Sequence, residues 1–146
     1  MKICLYSILF IYLLAMSIYD VKRKEIHMGV TLLTGGVLAA IRIFQFIHKD
    51  VTFEQALGVV PGILVLLLSY FTHGKIGMGD GFVMMVCGTV LSLFENLLLL
   101  FLALVLSAAV GAVLMMFRRV KRSYIMPFVP FIYISFGVTY LWEIWI

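Results

Sequence analysis

Two aspartates stand at the edges of apolar segments in this 146-residue chain. Asp20 directly follows the apolar run from Ile3 to Tyr19, and Asp80 directly precedes the run that begins at Gly81. A carboxylate near hydrocarbon costs about 2.5 to 3.5 kcal/mol on insertion scales, so its presence there needs a reason. Position alone is compatible with a purely structural role, because an aspartate at a helix end often caps the helix or interacts favourably with the helix dipole.

Two carboxyl groups brought within a few ångströms of each other could also carry out acid–base hydrolysis. Like charges at that distance repel, so the pair shares one proton and the two groups take different roles. The ionised group accepts a proton from water, the protonated group polarises a carbonyl, and the roles exchange as the amine leaves. Such a pair has the groups that hydrolysis of a peptide bond needs, provided that the fold brings Asp20 and Asp80 together.

The elements that must position these aspartates are predicted to be helices in a membrane. Hydrophobic residues make up 64% of the chain and charged residues 12%, and the mean hydropathy is +1.17. Lipid offers the backbone no hydrogen-bond partner, so each long apolar run is predicted to be a helix. We expect a single all-α domain over residues 1–146, a polytopic membrane protein with six transmembrane helices: Ile3 to Tyr19, Gly29 to Ile47, Gln55 to Phe71, Gly81 to Phe94, Leu97 to Phe117, and Ile125 to Ile146.

Basic residues predict how these helices are oriented. Cytoplasmic loops are enriched in lysine and arginine, so the basic connections should face the cytoplasm, with the N- and C-termini outside and both aspartates at the cytoplasmic side of the inner membrane. The first run lacks a small-residue cleavage site and is predicted to be retained as a helix. Eight of the eleven basic residues lie in the first, third and fifth connections: Lys22, Arg23, Lys24, Lys75, Arg118, Arg119, Lys121 and Arg122.

Other kinds of site find less support in the sequence. The net charge of +4 comes from short clusters between apolar runs, which favours membrane topology over nucleic-acid binding. Cys4 and Cys87 lie in apolar runs and form no CxxC pair, so we interpret them as core residues. His27, His48 and His73 fall in different loops, and we therefore expect no metal and no cofactor.

Glycines beside Asp80 strengthen the catalytic interpretation. Gly77, Met78, Gly79 and Asp80 form a GxGD string, in which glycine allows restricted backbone angles or the close approach of a substrate strand. A glycine-rich turn needs no catalytic purpose by itself. Its predicted position at the cytoplasmic end of a helix, opposite a second aspartate, makes the string more specific.

With these motifs the chain resembles the type IV prepilin peptidases and the archaeal preflagellin peptidases, which are intramembrane aspartyl proteases with a catalytic GxGD aspartate. The segment from Asp20 to Ile26 is similar to the family's first motif. Pro127-Phe128-Val129-Pro130-Phe131 is similar to the PFxPF segment that opens the family's last helix. The resemblance covers essentially the whole chain and implies that Asp20 and Asp80 are catalytic.

The same resemblance implies a substrate and its limits. The substrate is expected to be a prepilin-like protein whose basic leader stays in the cytoplasm while its apolar helix lies in the lipid bilayer. Paired CxxC motifs of a methylating domain are absent from the sequence, so we expect cleavage without methylation, as in compact peptidases that serve Flp-type pili or flagellins. The sequence departs from the family pattern at two places, and both bear on how the substrate is held. His27-Met28 replaces proline-asparagine, and Phe82 replaces a common lysine.

Four more residues are candidate supports of the site, namely Lys24, Lys75, Pro127 and Pro130. The lysines could pair with the aspartates, although their place in cytoplasmic loops explains them as well. A different function is also open: a small proton- or cation-coupled transporter could use the same two aspartates. The lack of charge at mid-membrane disfavours it. A third possibility is a family member that binds pilins without cutting them.

Overall fold

The computed structural model describes residues 2–48, 52–73, 77–117 and 126–145. Within these ranges every regular element is helical, which confirms the all-α prediction. The short helix α3 continues through a 3₁₀ turn, Leu57–Val59, into α4, so the α-helices form six segments along the described chain. Their bounds are α1 Lys2–Arg23, α2 Met28–Ile47, α3 Phe53–Ala56, α4 Val60–Phe71, α5 Met78–Val90, α6 Leu93–Met116 and α7 Val129–Trp145.

Four of these segments are long and apolar enough to cross a membrane: Ile3–Arg23, Met28–Ile47, Phe53–Phe71 and Leu93–Met116. Helix α5 has 13 residues, which gives a length of about 20 Å and falls short of the roughly 20 residues that a full span needs. The apolar part of α7, Val129–Leu141, is also short. Six complete spans and the sidedness of the termini therefore stay predictions.

The boundary between α5 and α6 differs from the prediction. The break was expected at Glu95-Asn96, but it lies at Leu91 and Ser92. Ser92 caps α6 by accepting a hydrogen bond from the Glu95 N–H at 3.4 Å, while the Glu95 carboxylate accepts one from the Ser92 N–H at 2.7 Å. This reciprocal capping box places Glu95 in the first turn of α6 and ends the preceding helix early.

Asn96 is a fully buried junction residue rather than part of a loop. Its side-chain amide donates to the carbonyls of Gly58 at 2.7 Å and Met84 at 3.2 Å. These bonds join α6 to the 3₁₀ turn and to the middle of α5. The two paired donors favour this one arrangement of the helices, whereas the side-chain oxygen of Asn96 has no hydrogen-bond partner among the described residues.

Helix α5 lies at the centre of the described bundle, with its most extensive contacts to α4 and further contacts to α2, α1 and α6. Its C-terminal end is held by Arg42 of α2, whose guanidinium donates to the carbonyl of Thr89 at 2.7 Å and to that of Val90. The last carbonyls of a helix lack partners within the helix. Arg42 supplies those partners and adds a favourable charge at the negative end of α5.

Helices α1 and α7 pack side by side in opposite directions. Near the start of α1, Tyr6 stacks on Phe136 and Tyr140, which lie late in α7, with ring centroids 5.8 and 5.6 Å apart. Aromatic pairs in this range contribute beyond the area that they bury. The antiparallel pairing brings the end of α1, and with it Asp20, to the beginning of α7.

Candidate active site

Asp20 lies in the last turn of α1 and has only 6% of its surface exposed. Its carboxylate Oδ2 accepts a hydrogen bond from the backbone N–H of Val129 at 3.1 Å. The backbone of Phe128 makes a second favourable interaction with the same carboxylate. Because Val129 is the first residue of α7, Asp20 interacts with the positive end of that helix.

The N–H of Val129 is available because Val129 is the first residue of α7, and the first N–H groups of a helix have no partner within it. Pro127 and Pro130 have no N–H to donate. The next two donors, those of Phe131 and Ile132, bond back to the carbonyl of Phe128 at 3.0 and 3.3 Å. The PFxPF segment thus begins α7 with few donors and directs the N–H of Val129 to Asp20.

Asp80 lies in the first turn of α5, where its N–H donates to the carbonyl of Gly77 at 3.1 Å. Its carboxylate folds back over Gly77, so closely that a Cβ built on Gly77 would lie 2.9 Å from Oδ2. Gly77 itself has ordinary backbone angles, φ −60° and ψ 120°. The requirement for glycine at this position is therefore space for the Asp80 carboxylate, and the expected restricted backbone angle is not found.

A side chain at Gly79 would collide with a different residue. A Cβ at Gly79 would lie 2.5 Å from Cδ1 and 2.9 Å from Cβ of Ile26, in the connection between α1 and α2. The chain reaches this position through Lys24, which ends α1 in a left-handed conformation with φ 54° and donates its N–H to the Asp20 carbonyl at 2.7 Å. The first motif and the GxGD motif are therefore in direct contact.

Both aspartates line one cavity of about 710 Å³. The charge of Asp20 acts on Asp80 across it, so the two carboxylates are close enough to interact electrostatically. Apolar side chains of α4 and α6 form one wall, and charged residues of the α1–α2 connection lie at the cavity as well. These lining residues are Val65, Leu68, Leu100 and Leu104 on the wall, and Lys24 and Glu25 in the connection.

The structure brings most of the predicted site residues together. Gly77, Gly79 and Pro127 line the cavity with the aspartates and Lys24, whereas Met78 begins α5 and is 54% exposed. Pro130 lies in the first turn of α7. Lys75 and the basic residues at 118–122 lie outside the described residues.

Three contributions to the site were not found from the sequence. Glu25 and Met28 also line the cavity, and the Val129 N–H is the donor to Asp20. The PFxPF motif was recognised in the sequence as a family feature, but a partner 109 residues away along the chain cannot be read from it. His27, one of the departures from the family pattern, caps α2 by accepting a hydrogen bond from the Val30 N–H at 3.4 Å.

Fold and site together define a small helical membrane protein with a pair of carboxylates in one cavity. Residues 7–116, well over half of the chain, match the model of the type IV leader peptidase family, and the chain belongs to this family. The matched range contains both Asp20 and Asp80 and ends before the PFxPF segment. No curated protein and no solved structure gives a significant match to the chain.

Proposed function

We propose that this peptidase is an intramembrane aspartyl endopeptidase that removes the basic leader of a prepilin-like protein, with Asp20 and Asp80 as the catalytic pair. The observation that carries the proposal is that both carboxylates line one cavity and interact electrostatically. Membership of the type IV leader peptidase family supports the same reaction. In this proposal the cavity faces the cytoplasm, because Lys22 and Arg23 in the last turn of α1, and Lys24 directly after it, lie at the same end of the helix as Asp20.

The chemistry follows from the shared proton. The ionised carboxylate takes a proton from a water molecule, whose oxygen bonds to the carbonyl carbon of the scissile peptide. The protonated carboxyl group hydrogen-bonds to the carbonyl oxygen and stabilises the charge that develops on it. The tetrahedral intermediate then breaks at the C–N bond, and the departing nitrogen receives a proton from the pair.

The surroundings of the pair suit a substrate with one polar and one apolar part. The wall formed by Val65, Leu68, Leu100 and Leu104 is apolar and complements a hydrophobic helix beyond the cleavage site. Glu25 at the cavity can attract a basic leader, while Lys24 opposes it. The attraction of the leader to Glu25 and its repulsion by Lys24 thus oppose each other. Most of the binding free energy must therefore come from the apolar segment of the substrate.

Asparagine variants provide the direct test. Asp20→Asn and Asp80→Asn keep the side-chain shape but cannot ionise, so each should abolish cleavage of a co-expressed Flp-type prepilin or preflagellin while the protein still inserts into the membrane. Glu54→Gln is the matched control, because Glu54 is an exposed carboxylate in α3 outside the cavity. Normal processing by either aspartate variant would show that the pair is not the catalytic centre.

The transporter remains the alternative, because a pair of carboxylates at helix ends in a membrane protein can also bind protons or cations. Purified protein in proteoliposomes separates the two functions. A peptidase cleaves added prepilin in the absence of an ion gradient. Proton-coupled flux that requires Asp20 and Asp80, without any proteolysis, would favour the transporter.

A further inference from the structure

The two aspartates have different surroundings, although they line the same cavity. The Asp20 carboxylate is buried and accepts the Val129 N–H at the start of α7. Asp80 as a residue is partly exposed, and its carboxylate lies over the Cα of Gly77. The donor from α7 acts on Asp20, so it favours the negative charge on Asp20 over that on Asp80.

Hydrogen bonds to an ionised acceptor are roughly twice as strong as those between neutral groups. The start of a helix also favours negative charge, since its unpaired N–H groups point toward the ligand. Both effects act on Asp20 through Val129 and Phe128. Once Asp20 is ionised, its charge favours the protonated form of the neighbouring carboxyl group.

We propose that the Val129 N–H makes Asp20 the ionised member of the pair before substrate binds. Asp20 then accepts the proton of the attacking water, and Asp80 carries the proton that polarises the scissile carbonyl. This assignment rests on the proposed function and makes Val129 a positioning residue. The other charged groups at the cavity, Lys24 and Glu25, are unchanged in the variants that follow.

Proline at position 129 removes the donor with little other change. Val129 is the first residue of α7, where proline is favoured because its ring presets the helical φ angle. Phe128 precedes the helix, and a residue before proline prefers such a non-helical conformation. Val129→Ala is the matched control, since it shortens the same fully buried side chain but keeps the N–H.

The readout is the dependence of prepilin cleavage on pH. Without the donor, Asp20 stays protonated to higher pH, so the acidic limb of the kcat profile should move upward by about one pH unit in Val129→Pro. At a pH below both limbs, the kcat of Val129→Pro should be about tenfold lower than that of the wild type, while its KM changes little. Val129→Ala should keep the wild-type limb. A Val129→Pro enzyme that cleaves with the wild-type limb would overturn the assignment.

A backbone ester keeps the test decisive if the proline variant does not fold. Incorporation of 2-hydroxy-3-methylbutyric acid at position 129 replaces only the N–H by oxygen and keeps the valine side chain. The ester should show the same upward shift of the acidic limb, and an unshifted limb overturns the assignment. If the wild-type chain cleaves no prepilin at any pH, the proposed function itself fails, and the two failures are thereby distinguished.

Discussion

Ile26 lies against the Cα of Gly79, so that a methyl group added to the glycine would come within 2.5 Å of the isoleucine Cδ1. Ile26 follows α1, which carries Asp20, and Gly79 directly precedes Asp80. The contact therefore joins the two segments that bear the carboxylates. It also gives a packing reason for the second glycine of the GxGD string.

Gly79→Ala should destabilise the protein by about 1 to 3 kcal/mol, the usual cost of overpacking a filled site, and should reduce prepilin cleavage. Shortening the neighbour relieves the nearest clash, so Gly79→Ala combined with Ile26→Ala should cost less than the sum of the single changes. Thermal unfolding in detergent measures both effects. Gly36→Ala is the matched control, because a Cβ at Gly36 meets nothing within 4 Å. Additive losses in the double variant would argue against the contact.

Gly77→Ala should separate activity from stability. The atom that a Cβ would approach is Oδ2 of Asp80, at 2.9 Å, and a carboxylate at the end of a side chain can rotate away. We expect unfolding close to wild type and a fall of about tenfold or more in kcat, because the carboxylate leaves its position beside the cavity. Equal losses of stability for Gly77→Ala and Gly79→Ala would contradict the different roles assigned to the two glycines.

Asp20→Ala and Asp20→Asn should both be inactive but should differ in stability. Asparagine keeps an oxygen that can accept the Val129 N–H, whereas alanine leaves that donor without its partner. The loss of a partner for a buried donor costs about 1 to 3 kcal/mol. Chemical denaturation of the purified variants measures the difference, and the same pair of changes at the partly buried Asp80 serves as comparison. An Asp20→Ala protein as stable as Asp20→Asn would refute a structural contribution of this bond.

Arg42→Met should destabilise the C-terminal end of α5. The substitution removes the donors to the partly buried carbonyls of Thr89 and Val90, at a cost of about 2 kcal/mol for hydrogen bonds from a charged group. Arg42→Lys should lose less, because an ammonium group can still reach a carbonyl. The neighbouring change Ile43→Met is the control, since Ile43 is 62% exposed on the same helix. Hydrogen exchange of the last turn of α5 reports the effect directly, and unchanged protection there would contradict it.

Local patterns in the sequence were sufficient for the class of fold and for the identity of the candidate catalytic pair. Long apolar runs must form helices in lipid, and a carboxylate at the edge of such a run stands out by its cost. Among the misplaced boundaries, the one between α5 and α6 had a readable signal. Ser92 and Glu95 have the spacing of a capping box, but the apolar residues around them continue the hydrophobic pattern of the preceding helix.

What only the tertiary structure decided is which residues distant in the chain meet. The contacts of Asp20 with Val129, of Ile26 with Gly79, and of Arg42 with the end of α5 span between 47 and 109 residues. Local propensity and hydropathy fix the conformation of each segment, whereas such contacts depend on how the helices pack against one another. The sequence by itself thus determined that two carboxylates stand at helix ends. The antiparallel packing of α1 on α7 decided that one of them receives a backbone donor.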